Sequence, residues 1–282
     1  MSRKALRTGL AVVIAVLAAA LAVSAAVTAT KDRQYAADEK TAEAVRDTVA
    51  LPPYSVSEII RTGTDVNKRE AAEKESVGEN PVTDMNLLRR IDFDTLRGIN
   101  PDAERWLYIP DTNIDYYVMQ EPREGEYYYL WRDIYGNESS WGSLFTPAQG
   151  EDDAHLLIFG HHMSTHDYAF AAITDYASED FASQHRYVYV YYPDRAERWT
   201  VWCAEHVYGN DAVYDSPYIK DTSEYAELLE HIRSKAEVEL TAPPQSDEDI
   251  LVLSTCHRAW GGASGRFVVV CRTDETVYTK RH

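Results

Sequence analysis

Residues 252–256 read Val252-Leu253-Ser254-Thr255-Cys256, an apolar run that ends in a cysteine. The chain continues through Arg258-Ala259-Trp260-Gly261-Gly262, and a second apolar run opens with Gly265-Arg266-Phe267-Val268. Runs this short, bounded by glycine-bearing turns, read as β-strands. A thiol at a strand end, beside a loop, can face a cleft. Far upstream, Leu156-Leu157-Ile158-Phe159-Gly160-His161-His162 is another short apolar strand, running into histidine. Cys, His and Arg therefore stand at the ends of three strands and converge only if those strands are neighbours. Singly, each signal is weak: a strand-end Cys is more often a core thiol, and a lone His or Arg is more often structural or solvated.

The same pattern recurs along the chain. Residues 106–109, 114–119, 127–131, 144–145, 155–159, 187–192, 198–207, 250–253 and 267–270 are strand candidates. In 198–207, Trp199, Val201 and Cys203 are expected on one face, with Thr200, Trp202 and Ala204 on the other. Many short strands with turn signals between them imply a mainly β barrel or sandwich. Two helical stretches interrupt the series. Leu87, Leu88, Ile91 and Leu96 recur at helical spacing where the folded unit is expected to begin, near Asp84. Tyr225, Leu228, Leu229 and Ile232 fall at i, i+3, i+4 and i+7, behind the N-cap candidates Asp221, Thr222 and Ser223. They predict an amphipathic helix inserted before the cysteine strand.

Composition narrows the function classes. The 282 residues carry 46 acidic and 28 basic side chains, a formal net charge of -18, which repels phosphate backbones and excludes nucleic acid as the expected partner. The 20 Tyr and 6 Trp suit a half-exposed β architecture. Only three cysteines are present, Cys203, Cys256 and Cys271, too few and too odd in number for a disulfide scaffold.

Residues 9–28, GLAVVIAVLAAALAVSAAVT, contain no charge, and Arg3, Lys4 and Arg7 precede them. Such a run spans a hydrocarbon core of ~30 Å as a helix and keeps its basic end cytoplasmic. The competing reading is a cleaved signal peptide. Both put the rest of the chain outside the cytoplasm. Residues 31–83 are polar and Ala/Glu-rich, interrupted by Pro52-Pro53 and Gly63, and read as a stalk. The expected organisation is 1–30 tip and membrane anchor, 31–83 stalk, and 84–282 catalytic domain.

Leu253-Ser254-Thr255-Cys256 resembles the sortase signature, in which Thr-Leu-any-Thr-Cys ends one strand and an Arg opens the next. Here Arg266 follows Cys256 by ten positions, and Val252 stands where the signature usually has Thr. Phe159-Gly160-His161 resembles the family's strand-Gly-His. Ile91-Asp92-Phe93, Ile99-Asn100-Pro101-Asp102, Trp106-Leu107-Tyr108-Ile109-Pro110 and Gly142-Ser143-Leu144-Phe145 are similar to the class B branch. The resemblance covers roughly residues 85–275. It implies a closed β-barrel with N-terminal helices and an inserted helix. It also implies a cysteine transpeptidase with Cys256 as nucleophile, His161 as general acid and Arg266 at the oxyanion or the substrate backbone. Thr255 and Ser254 are the implied substrate or oxyanion contacts. The implied partners are a sorting-signal peptide and an amine of a peptidoglycan precursor or a pilin. No cofactor is implied.

Two other readings start from the same residues. His161, His162 and His166 lie close in sequence and suit a metal in an exported protein, although the spacing matches no strong metal motif. A catalytically inactive surface module of the same shape is the other. Cys203 and Cys271 read as buried thiols, with a disulfide between them as the minor option.

Overall fold

The computed structural model describes residues 3–62, 84–122, 127–148, 153–162 and 168–279. Met1–Thr41 and Ala42–His282 form two compact units. The first is helical, part of a helix running Arg3–Val49. In it the Thr28, Thr30 and Thr41 hydroxyls donate to carbonyls four residues back. The expected span 9–28 lies in this helix, and the side chains of 9–15 are outside those described. Among the described residues no helix is long and apolar enough to cross a membrane.

The second unit is built on strands. In chain order they are β1 (Ala50–Leu51), β2 (Ile59–Thr62), β3 (Arg90–Ile91), β4 (Ala103–Tyr108), β5 (Asp115–Gln120) and β6 (Leu144–Thr146). Then come β7 (His155–Gly160), β8 (Tyr187–Tyr191), β9 (Arg195–Tyr208), β10 (Val238–Glu239), β11 (Ile250–Cys256) and β12 (Gly265–Thr279). Eight of them close a barrel in the order β9-β8-β4-β5-β6-β7-β11-β12, and β12 pairs back to β9. β10 adds to the far half of β9, and β2 to the end of β12. The pairs β5–β6 and β7–β11 are parallel, and the other barrel pairs are antiparallel.

Side-chain alternation divides the core. Leu251, Leu253, Phe267 and Val269 are fully buried on one face of β11 and β12. On the other face, Ile250, Val252, Val268 and Val270 pack with Tyr225, Leu228, Leu229 and Ile232 of the helix Ser223–Lys235. These are the four helix positions expected from the sequence. Burying each contributes roughly 1.5–3 kcal/mol, and the Thr222 side chain caps the helix by accepting from the Tyr225 N–H. A further cluster joins Val45, Val49, Leu87, Leu88, Phe93 and Leu96 to Trp106, Tyr191 and Val277 of the barrel. Chain upstream of residue 84 is thus packed here: Ala42, Val45, Val49 and Ile59 are buried, and β1 pairs with β3. The remainder of the expected stalk, 63–83, lies outside the described residues.

Two local expectations need correction. Residues 127–131 are not a strand: Tyr128–Trp131 is a 3₁₀ helix, entered through Tyr127 at φ 46°. Aromatic residues favour strands only where a neighbouring strand receives them. Here the Glu121 carboxylate takes the Tyr128 N–H and turns the chain. The simple alternation in β9 also fails. The register against β12 jumps from Val270↔Cys203 to Cys271↔Val201, so Trp202 is an extra residue in a bulge. Trp202 and Cys203 consequently pack in the same cluster.

Candidate active site

The three strand ends are neighbours. β7 and β11 run parallel with Thr255 opposite Gly160. β11 and β12 run antiparallel with Cys256 opposite Arg266. Position 161 follows level with Cys256, and residues in register across a sheet share a face. Gly160 does not reset this alternation, because it is the last residue of β7 and its φ is not positive. Glycine is needed there for room: a Cβ would sit 2.5 Å from Leu144 Cδ2 and 2.7 Å from the Phe170 ring.

On the Cys256 face, the thiol-bearing residue is partly exposed, whereas Cys203 and Cys271 are fully buried and free. Burial pushes both of those thiols well above the usual range, which leaves neither as thiolate near neutrality. Arg266 Nη1 donates to the Ala263 and Gly265 carbonyls, each at 3.0 Å, which fixes the guanidinium beside the cysteine strand. His161 Nε2 lies 2.7 Å from the Leu130 carbonyl, and its ring meets that of Trp131 at 4.8 Å. Burial lowers the His161 pKa, the bond to Leu130 partly restores it, and the nearby Arg258 charge lowers it further.

Ser254 and Thr255 part company. Ser254 shares the Cys256 face, and its hydroxyl meets the Tyr214 hydroxyl at 2.9 Å. The Thr255 hydroxyl turns into the barrel and donates to the Gly160 carbonyl at 2.8 Å. Its oxygen therefore ties β11 to β7, and only its backbone remains for an oxyanion.

Tyr214 was missed in the sequence. It stacks on Phe159 at 5.9 Å, and burial raises the pKa of its hydroxyl while the Ser254 bond and the nearby Arg266 charge lower it. It sits in a 3₁₀ turn, Ala212–Tyr214, capped by Asp211. No periodicity or motif marks such a turn.

The opposite face holds other histidines. His162 meets the Thr174 hydroxyl at 3.5 Å, bonds the Cys256 main chain, and approaches the His257 ring at 6.1 Å. His257 Nδ1 lies 2.7 Å from His206 Nε2, and His206 Nδ1 lies 2.8 Å from Glu237. Among the described residues no three His, Cys, Asp or Glu side chains are placed to hold a metal ion. His166 is outside those residues.

The sortase-domain family model matches residues 107–274, more than half of the chain. Sortase B of Listeria monocytogenes is 24% identical over 190 residues, covering 66% of this chain and 76% of that protein. Among solved structures, sortase B from B. anthracis superposes with a TM-score of 0.65 at 20% identity, covering 86% of this chain and 99% of the other. A Streptococcus pyogenes class B sortase involved in pilus biogenesis superposes with a TM-score of 0.57 at 24% identity, covering 64% and 97%.

Proposed function

This chain belongs to the sortase family, in its class B branch, and we propose that Cys256, His161 and Arg266 carry its transpeptidase chemistry on a sorting-signal peptide. The observation that carries the reading is the register: Cys256 is paired with Arg266, and Thr255, one residue before the thiol, is paired with Gly160, one residue before His161. The Cys256 thiolate adds to the carbonyl carbon of the scissile peptide bond. The Arg266 guanidinium donates hydrogen bonds to the oxygen as it becomes negative. The C–N bond then breaks, and protonated His161 delivers its proton to the departing amine. The product is a thioester on Cys256. An incoming primary amine attacks that thioester and gives its proton to His161, and the thiolate leaves.

Tyr214, Phe159 and Tyr127 form an aromatic surface suited to an extended peptide, with the buried Ser254 hydroxyl bonded behind it to Tyr214. The acceptor amine belongs to a peptidoglycan precursor or to a pilin lysine. The Streptococcus pyogenes relative's part in pilus biogenesis is consistent with the second. We assign 1–30 as cytoplasmic tip and anchor and 84–282 as the catalytic part; of the expected stalk, 31–83, residues Ala42, Val45, Val49 and Ile59 are buried with the catalytic part, so the stalk role falls to residues 31–41. The uncharged run 9–28, with Val16, Leu17, Leu21, Val23 and Val27 exposed on a helix, supports a single-pass anchor.

The test is to trap the thioester. The full chain is incubated with Asn-Pro-any-Thr and Leu-Pro-any-Thr peptides and no amine, and its intact mass is read. An acyl adduct that maps to Cys256 and is released by hydroxylamine is expected. Peptide cleavage by Cys256→Ala at the wild-type rate would overturn the assignment.

A further inference from the structure

A general acid needs a third group to hold its ring, and on this barrel the backbone supplies it. Residues Tyr129, Leu130, Trp131 and Arg132 offer four successive carbonyls. Three are taken by the 139–143 loop: the Ser143 N–H donates to Tyr129, the Ser139 N–H to Trp131, and the Ser143 hydroxyl to Arg132. Leu130's carbonyl alone turns the other way, to His161 Nε2 at 2.7 Å. Gly142 packs closely against it. A Cβ there would stand 2.3 Å from the Leu130 oxygen, and the φ of +59° is itself unfavourable for a side chain. Only a glycine lets the loop pack this closely against the carbonyl that meets the histidine.

A carbonyl oxygen only accepts, so Nε2 must carry the hydrogen in the neutral ring. That leaves Nδ1 as the nitrogen that takes and returns the proton. Trp131 completes the holder. Its indole is 54% exposed yet lies 4.8 Å from the imidazole, covering one side of the ring and limiting its rotation. A single exposed aromatic is ordinary on a protein surface. One set against the proposed general acid, on the residue after the carbonyl that holds it, has a mechanical use.

We propose that the Leu130 carbonyl, braced by Gly142, is the orienting third member of the catalytic set, and that Trp131 is a positioning residue which holds His161 in the tautomer with Nδ1 free. This rests on His161 being the proton carrier. It explains why a glycine must open the Gly142-Ser143-Leu144-Phe145 stretch, which catalysis does not otherwise require.

The direct test is the tautomer. Long-range proton–nitrogen NMR on the ¹⁵N-histidine-labelled full chain is recorded above the His161 titration, with His161→Gln identifying the signals. A protonated Nε2 and a bare Nδ1 are expected. A protonated Nδ1, or a fast average of both forms, would overturn the proposal. This reading needs no activity, so it separates failure of the holder from failure of the transpeptidase assignment. In steady-state cleavage, Trp131→Ala should lower kcat roughly tenfold with KM nearly unchanged, and Trp131→Phe should restore most of it. Unchanged methanethiosulfonate labelling of Cys256 serves as the folding control. A rise in KM with kcat intact would make Trp131 a wall of the peptide groove and contradict the positioning role.

Discussion

The two faces of the same strand ends carry similar residues and different chemistry. On one lie Cys256, Arg266 and the level of His161, with the Ser254–Tyr214 hydroxyl pair beside them. On the other lie Thr255, Phe267, His162, His257 and His206, the last joined to Glu237. The second face is richer in imidazoles, but its hydroxyls and rings are already paired with one another. The first face has a partly exposed thiol, a cation and an imidazole held from behind by a carbonyl. Residue type alone does not separate them. Strand parity and the commitments of each polar atom do.

The sharpest way to break this contrast is at the thiols. Cys256→Ala should abolish peptide cleavage, while Cys203→Ala and Cys271→Ala should stay active, because both of those thiols are buried in the core. An inactive Cys271→Ala that folds normally would move the nucleophile. Next in size is Arg266→Lys, expected to lose ~10²–10³ in rate, since an ammonium cannot reproduce the guanidinium fork. Near-wild-type turnover there would reduce Arg266 to a point charge.

A smaller effect tests the cluster under the inserted helix rather than the reaction. Glu205 is fully buried, and neither carboxylate oxygen has a hydrogen-bond partner among the described residues. Burial, with the charges of Asp211 and Glu237, pushes its pKa up to about 8. Its folded pKa exceeds its ordinary value near 4.5, so the folded chain holds a proton that the unfolded chain releases. Stability should fall as pH rises from about 4.5 to about 8, by on the order of several kcal/mol, and level off above. Glu205→Gln should flatten that dependence and raise the melting temperature at pH 8.5. An unchanged slope would mean that Glu205 finds a partner in solution. The smallest effect is expected at the second face: His257→Gln should keep most of the cleavage rate.

Much of this was legible before any coordinates. The strand ends at Cys256, His161 and Arg266, and the helix on Tyr225, Leu228, Leu229 and Ile232, follow from local periodicity. What was not legible depends on partners distant in sequence. The turn at 127–131 exists because Glu121 takes the Tyr128 N–H. The bulge at Trp202 appears only in the register with β12. Tyr214 reaches the site from a turn without pattern, and the Leu130 carbonyl belongs to the backbone and has no sequence signature. Val45 and Val49 lie in the stretch 31–83 that read as stalk, and their burial likewise needs Leu87 and Leu96, distant in sequence.

The most direct test of the contrast is the pair of adjacent histidines, measured side by side. Steady-state cleavage of one good peptide by His161→Ala and His162→Ala should show the first nearly dead and the second largely active, with both labelled normally at Cys256. An active His161→Ala beside a dead His162→Ala would put the general acid on the other face and contradict the account.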